Sequence, residues 1–259
     1  MMMKHKAFLE LKEILEEKAD LYNRLTFIED DPISIPHLFS KKEDIEISGL
    51  LTAIISWGQR KTLIRNAREM MTRMDDAPHD FVLHHSETDL RRFQHFVHRT
   101  FNGNDCQFFI RRLGEVYKKQ ESIEHLFARK SGSVFDGIVH FRQVMFDSEV
   151  PPGTSKHLAD PSAGSAAKRI NMYLRWMVRN DARKIDFGIW KSIPMADLMI
   201  PLDVHSGGVA RKLGILQRKQ DDWRAVEELT GFLRQLDAAD PVRFDYALFG
   251  MGVNEKLSR

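Results

Sequence analysis

The 259-residue chain has one cysteine, no long apolar run and a formal net charge of only +2. Because Cys106 stands alone, the chain by itself excludes a disulfide framework and a four-cysteine iron–sulfur or zinc site. No apolar stretch approaches the roughly 20 residues of a membrane-spanning helix. The N-terminal Met-Met-Met-Lys-His-Lys contains no apolar signal core. We therefore expect a cytoplasmic protein with no membrane partner.

Alternation of apolar and polar residues, which is typical of strands, is almost absent, and so are two-residue hairpin turns. Apolar residues instead recur at helical spacing along most of the chain. Such segments are residues 6–25, 45–55, 61–74, 106–119, 221–236 and the stretch that follows Asp240-Pro241. The sequence therefore predicts a mainly α fold, in which the nearly all-apolar segment 45–55 is buried on most sides.

Local signals predict where some helices begin and end. Ser40-Lys-Lys-Glu43 matches a capping box, in which the serine and glutamate side chains satisfy backbone amides reciprocally. The stretch Lys130–Ser133 predicts a break between two short helices. Residues 147–165 hold three prolines and two glycines, which favours a long loop or a domain boundary there.

The helix predicted over 61–74 carries Arg60, Lys61, Arg65 and Arg68 on its polar side. Such a row of cations is typical of a solvated helix face, and equally of a surface that faces nucleic acid. Because the whole chain is nearly neutral, any nucleic-acid surface has to come from a local patch of this kind.

Histidine is frequent in one region, at His79, His84, His85, His95 and His98. No pair of them fits a recognised ligand motif with a carboxylate beside it. We therefore predict no metal and no other cofactor. A metal-dependent hydrolase that uses Asp203, His205 and other histidines stays an alternative.

The stretch 161–214 combines a basic helix with an aspartate at a helix start. From about Ser165, apolar residues predict one face of a helix, and Lys168, Arg175 and Arg179 predict a basic stripe on another. Free backbone amides at a helix start, together with such a stripe, suit a nucleic-acid phosphate.

Asp203 stands where a helix N-cap is expected, after the stiff Pro201-Leu lead-in. Gly207 and Gly208 fall inside the predicted helix, where each costs about 1 kcal/mol relative to alanine. That cost suggests that another backbone or a ligand approaches them. A lysine and an aspartate on two such elements could supply an amine nucleophile and its electrostatic partner.

Four segments, taken in order, resemble those of a known superfamily. Pro201–His205 with Val209–Gly214 looks like the aspartate segment of the helix-hairpin-helix DNA glycosylases, the endonuclease III and 8-oxoguanine glycosylase superfamily. Ala167–Asn171 resembles their lysine segment, Leu50–Gln59 their early buried helix, and Phe244–Gly250 their late helix. Leu158–Gly164 stands in place of their phosphate-binding hairpin but keeps one glycine. The sequence also resembles a bacterial family described only as a domain of unknown function.

The resemblance implies a two-lobed helical fold with an active-site cleft between the lobes. Residues 1–44 would place an N-terminal helix against the C-terminal lobe. Residues 45–160 would form a helical-barrel-like lobe, and 161–259 the altered hairpin, the catalytic-type segment and the C-terminal lobe. It also implies that a monomer excises a flipped, damaged base from double-stranded DNA, with an 8-oxoguanine-like purine the first guess.

In that family the lysine is the nucleophile and the aspartate its partner, roles that fall here on Lys168 and Asp203. A Schiff base on the lysine would allow an AP-lyase step. The residues expected to contact DNA are Ser56, Trp57, Gln59, Arg60, Ser162, Gly164, Ser165, Arg169, Arg175 and His205. A non-catalytic DNA- or RNA-binding helical protein that retains the scaffold is the alternative.

Overall fold

The computed structural model describes residues 5–128 and 132–257 of the chain. Helices account for 63% of the chain and strands for 2%, which confirms the predicted mainly α fold. The first four residues and part of the predicted break at Lys130–Ser133 lie outside the described residues. No described helix combines the length and the apolar character needed to cross a bilayer.

The α-helices are α1 His5–Tyr22, α2 Thr26–Glu29, α3 Lys42–Ile54, α4 Arg60–Arg73, α5 Pro78–His84, α6 Glu87–Leu90, α7 Gly103–Tyr117, α8 Glu124–Phe127, α9 Val134–Met145, α10 Lys168–Val178, α11 Val204–Lys212, α12 Trp223–Leu236 and α13 Phe244–Asn254. Short 3₁₀ helices cover Pro32–Ser34, Pro36–Leu38, Arg91–Phe93, Thr154–His157, Pro161–Ala163, Met195–Asp197 and Pro241–Arg243. The strands β1 Val97–His98 and β2 Phe101–Asn102 form an antiparallel hairpin, with Val97 opposite Asn102.

The chain divides into two compact units. The first consists of Met1–Phe27, Pro161–Gly188 and Pro194–Arg259, and the second of Ile28–Asp160 and Ile189–Ile193. The first unit therefore holds α1 and α10–α13, the second holds α3–α9 with the β-hairpin, and the boundary between the units falls within α2.

In the first unit α13 is the central helix, because both α1 and α11 pack against it. Its residues are apolar nearly all round, as a helix covered on most sides requires. Gly250 lies directly against the Tyr22 ring of α1, where a Cβ atom would clash. Phe27 makes an edge contact with the ring of Tyr246, with the two centroids 5.3 Å apart.

In the second unit α3 is the central helix, and it packs against α4 and α5. Every residue from Ile45 to Ile54 is buried, which confirms the predicted buried helix. The capping box predicted at Ser40 is wrong. The backbone is still extended at Lys41, which is the N-cap and makes no side-chain cap bond, so Ser40 lies one residue too early.

Two buried acids hold the returning segment Ile189–Ile193 in the second unit. Glu46 of α3 is fully buried and accepts hydrogen bonds from Tyr117 Oη at 2.6 Å, Ser122 Oγ at 2.5 Å and Trp190 Nε1 at 2.7 Å. Glu124 accepts from the backbone amides of Lys191 and Ser192, both at 2.7 Å. A buried carboxylate is tolerated only when its oxygens are satisfied in this way.

Replacing Glu46 by Ala should therefore leave three buried donors without their acceptor. We expect the free energy of unfolding to fall by about 3 kcal/mol or more, because hydrogen bonds to charged groups are worth about 1.5–3 kcal/mol each. Urea denaturation measures this. Exposed Glu121 in the same unit is the control, and Glu121→Ala should change stability by less than about 0.5 kcal/mol. Equal stability of the two variants would contradict the role given to Glu46.

Candidate active site

Lys168 is the first residue of α10, and a left-handed residue directly precedes it. Ala167, with φ of 46°, is the N-cap, so the helix begins three residues later than the predicted start near Ser165. The turn is held on both sides, since Ala167 N donates to Ser165 Oγ at 3.2 Å and Asn171 Nδ2 donates to Ala166 O at 3.1 Å. A non-glycine residue in this conformation persists only when its surroundings over-determine it.

Asp203 is the N-cap of α11, as predicted. Its Oδ1 accepts hydrogen bonds from the amides of His205 at 2.8 Å and Ser206 at 2.9 Å. Ser206 Oγ in turn accepts from the Asp203 amide at 3.0 Å, which completes a capping box. One carboxylate oxygen is thus used by the helix start.

The other carboxylate oxygen meets the lysine. Lys168 Nζ lies 2.9 Å from Asp203 Oδ2, with side-chain exposures of 37% and 11%. The first unit therefore brings together the two residues predicted to be catalytic. The amine stays accessible, while the carboxylate is largely shielded.

The pKa of Asp203 is lowered, although its burial acts to raise it. The charge of Lys168 and its hydrogen bond, together with the Ser206 and His205 amides, outweigh the cost of burial. The carboxylate is consequently an anion at neutral pH.

The basic stripe predicted on α10 is wrong. Arg175 and Arg179 are only 4% and 2% exposed, and each meets carboxylates in the interior of the first unit. Arg175 pairs with Asp245 and, at 3.3 Å, with Asp186. Arg175 is therefore not available for the DNA contact that the sequence predicts, because its guanidinium is committed to internal ion pairs.

Arg179 is neutralised in the same way as Arg175. Its guanidinium lies 3.0 Å from Asp186, 2.9 Å from Asp240 and 2.9 Å from Asp181. Tyr246 Oη donates to Asp186 Oδ2 at 3.0 Å. We call Arg175, Arg179, Asp186, Asp240, Asp245 and Tyr246 the buried charge network. The sequence did not predict the ion pairs that Asp186, Asp240 and Asp245 make in this network, although Asp245 lies inside the recognised segment Phe244–Gly250.

Asp245 of this network is electrostatically coupled to the candidate pair. Burial raises its pKa to about 6, and repulsion from the Asp203 and Asp186 carboxylates adds to this, against the attraction of Arg175 and Lys168. The network therefore responds to the charge state of Lys168 and Asp203.

The other predicted contacts of the first unit surround the start of α10 and α11. Ser162 and Gly164 are exposed, and Gly164 adopts a φ of 89°. Ser165 is half-buried and forms a β-bridge with Asp222. Arg169 is half-buried, and burial lowers its pKa to about 10, so its guanidinium stays charged at neutral pH. His205 is half-buried against Phe249, with the rings 6.1 Å apart.

Neither another backbone nor a ligand, as predicted for the glycines of α11, accounts for the close approach at Gly207, which is made by side chains. A Cβ on Gly207 would lie 3.0 Å from Arg211 Nη1 and 3.1 Å from Asp221 Oδ1. These two side chains pair with each other at 2.6 Å. Gly207 thus makes room for a salt bridge inside the first unit.

Ser56, Trp57, Gln59 and Arg60 belong to the second unit. Gln59 and Arg60 are exposed, whereas Ser56 is half-buried and donates to Thr52 O at 2.8 Å. The half-buried Trp57 ring stacks on His157, 5.7 Å away and tilted by 14°. His157 lies 3.2 Å from the buried Asp105 carboxylate.

Among the described residues, no three histidine, cysteine, aspartate or glutamate side chains gather in a way that could hold a metal ion. Of the five histidines weighed as metal ligands, His98 is buried, and its ring forms hydrogen bonds with Trp57 O and with Asn66 Nδ2, both at 3.0 Å. Of the others, His84 and His95 are exposed, while His79 and His85 are half-buried.

Stability measurements can separate the capping role of Asp203 from its ion pair with Lys168. Asp203→Ala removes the cap and the ion pair and should lower the free energy of unfolding by about 1–2 kcal/mol. Asp203→Asn keeps a capping oxygen and should cost less than about 1 kcal/mol, since an ion pair whose lysine stays accessible to solvent contributes little. The measurement is urea denaturation, with exposed Asp197→Asn as control.

The pH dependence of the Asp203→Asn effect follows from the lowered pKa of Asp203. A depressed carboxyl pKa stabilises the fold above the ordinary value of 3.8, and that contribution is lost as the pH falls further. The difference between wild type and Asp203→Asn should therefore shrink below about pH 4. A difference that grows on acidification would contradict the lowered pKa.

A family model described as "Protein of unknown function (DUF2400)" matches residues 31–254. The match includes the whole of α10 and α11 and therefore both Lys168 and Asp203. A search of curated proteins and a search of solved structures gave no match. Since the matched segment covers most of the chain, the protein belongs to the DUF2400 family.

Proposed function

We propose that this protein is a DNA base-excision glycosylase that uses Lys168 and Asp203, with an AP-lyase step on the same lysine. The observation that carries the proposal is the 2.9 Å contact between Lys168 Nζ and Asp203 Oδ2. The two residues lie far apart in the chain, and each is held at the start of its own helix. The resemblance of four ordered segments to the helix-hairpin-helix glycosylases supports the same assignment.

The chemistry assigns different roles to the two side chains. Once its amine has lost a proton, Lys168 attacks the sugar C1′, and the base leaves with the electrons of the glycosidic bond. Proton loss and ring opening then give a Schiff base at C1′, from which β-elimination expels the 3′-phosphate. Because its pKa is lowered, Asp203 suits electrostatic stabilisation of the positive sugar better than proton abstraction.

The proposed partner is double-stranded DNA that carries a damaged base, with an 8-oxoguanine-like purine the first lesion to test. Around the pair, Ser162, Gly164, Ser165, Arg169 and His205 are the proposed DNA contacts of the first unit. Ser56, Trp57, Gln59 and Arg60 are those of the second unit. Action as a cytoplasmic monomer, without a cofactor, stays a prediction, as does the cleft that the resemblance implies.

Borohydride trapping tests the nucleophile. Wild-type protein incubated with an 8-oxoguanine duplex, or with an abasic duplex, should form a covalent adduct on reduction, because a Schiff base becomes a stable amine. Lys168→Ala should lose the adduct entirely, and Asp203→Asn should lower its rate by about 10²-fold or more. Gel electrophoresis and mass spectrometry of the adduct measure both.

Lys184→Ala is the matched control, since Lys184 is an exposed lysine of the same unit. This control should trap like wild type. Equal trapping by Lys168→Ala, or no adduct with any lesion or abasic duplex, would remove Lys168 as the nucleophile.

A non-catalytic DNA- or RNA-binding role is the second candidate. It is favoured by the capping bonds of Asp203, which give this carboxylate a structural role with or without chemistry. This candidate predicts salt-sensitive nucleic-acid binding that is unchanged in Asp203→Asn, with no base excision. Excision lost in Asp203→Asn would decide against it.

A further inference from the structure

The exposed face of α4 is a row of cations that the proposed chemistry does not use. Lys61, Arg65 and Arg68 are all exposed and follow one another at spacings of four and three, which places them on one side of the helix. No acid occurs from the start of α4 to Arg68. We call Lys61, Arg65 and Arg68 the α4 basic face.

The charges of this face are only partly balanced by the protein. Arg68 lies 3.4 Å from Asp76, and both side chains are nearly half exposed. Glu69, the acid of α4, pairs with Arg73. Among the described residues, neither Lys61 nor Arg65 forms an ion pair with a carboxylate, and the nearest polar contact of Arg65 is Asn66 Oδ1 at 3.5 Å.

A further cation is held at the start of the same helix. The exposed Arg99 lies at the tip of the β1–β2 hairpin, with a φ of 56°. Its side chain rests on Gly58, where an added Cβ would lie 3.0 Å from Arg99 Cδ. Asn66 Nδ2 of α4 donates to Val97 O at 3.3 Å, which fixes the hairpin against the helix. Arg99 also has no carboxylate ion-pair partner among the described residues.

The arrangement fits a regular polyanion better than a lipid surface. Lys61 to Arg68 spans about 10 Å of helix, over which one strand of B-DNA presents about three phosphates. The apolar side of α4, with Leu63, Ala67 and Met70, is buried in the second unit. This helix therefore has no apolar face left to insert into a bilayer.

We infer that the α4 basic face and Arg99 bind the phosphate backbone of double-stranded DNA, independently of base damage. The inference rests on the proposed function for the identity of the partner, but it adds a surface that does not include the reacting residues. Its contribution is electrostatic and independent of sequence.

Fluorescence anisotropy with an undamaged duplex of about two helical turns, over a series of salt concentrations, tests this inference. In Lys61→Gln/Arg65→Gln the slope of log K against log salt should fall by about 0.9 for each residue removed. The affinity should fall at least about tenfold at 0.1 M salt. Lys118→Gln/Lys119→Gln removes two exposed cations from the same unit and should bind like wild type. Thermal melting of each variant confirms that it is folded.

An equal loss of affinity in the two double variants would overturn the inference, because it would show a response to net charge alone. Tighter binding to vesicles with anionic lipid than to the duplex would also overturn it. So would single-stranded DNA or RNA binding as tightly as the duplex with the same dependence on Lys61 and Arg65.

The failure of this inference is distinguishable from the failure of the proposed function. The Lys61→Gln/Arg65→Gln change should weaken binding to the undamaged duplex by the same factor whether residue 168 is lysine or alanine. Absence of trapping, combined with intact Lys61- and Arg65-dependent binding, would remove the glycosylase and keep the α4 surface. Trapping that depends on Lys168, combined with duplex binding that is unchanged in Lys61→Gln/Arg65→Gln, would keep the glycosylase and remove the α4 surface.

Discussion

The guanidinium groups of Arg175, in α10, and of Arg179, directly after it, lie in the interior of the first unit, and a buried charge is tolerated only when opposite charges neutralise it. Arg175 and Arg179 obtain that neutralisation from Asp186, which follows α10, and from Asp240 and Asp245, which lie just before and within α13. Removing one partner of such a network leaves an uncompensated buried charge, which costs about 3–5 kcal/mol. The network therefore ties α10 to α13 and to the segment that follows α10.

The same constraint sets the position of the candidate site. Lys168 begins α10, whose far end is held by the buried charge network. Asp203 begins α11, which packs against α13, the helix that carries Asp245. The geometry of the Lys168–Asp203 contact thus depends on α13, although neither residue belongs to it. The pKa of Asp245, which burial raises, reflects this proximity, since the Asp203 charge raises it further and the Lys168 charge lowers it.

The second unit also depends on buried carboxylates, which here accept hydrogen bonds rather than neutralise buried arginines. Glu46 and Glu124 are buried acids that accept hydrogen bonds from the short segment Ile189–Ile193 and hold it in the second unit. The chain on both sides of that segment belongs to the first unit. In both units, buried polar groups connect parts of the chain that are distant in sequence, and apolar packing fills the space around them. Asp203 makes both kinds of contact, since one carboxylate oxygen accepts hydrogen bonds from the start of α11 and the other forms an ion pair with Lys168.

The sequence by itself determined the helical class, the burial of α3 and the helix start at Asp203, because these depend on local periodicity and on the preference of a carboxylate for backbone amides. It did not determine which cations of α10 face water, since a periodic pattern cannot distinguish an exposed arginine from one that a distant aspartate neutralises. The sequence also did not predict the start of α10 at Lys168. The left-handed turn at Ala167 depends on hydrogen bonds that involve the Ser165 and Asn171 side chains, which a helical periodicity does not reveal. Only the tertiary structure brought Lys168 to Asp203, since the distance between two helix starts depends on how the helices pack.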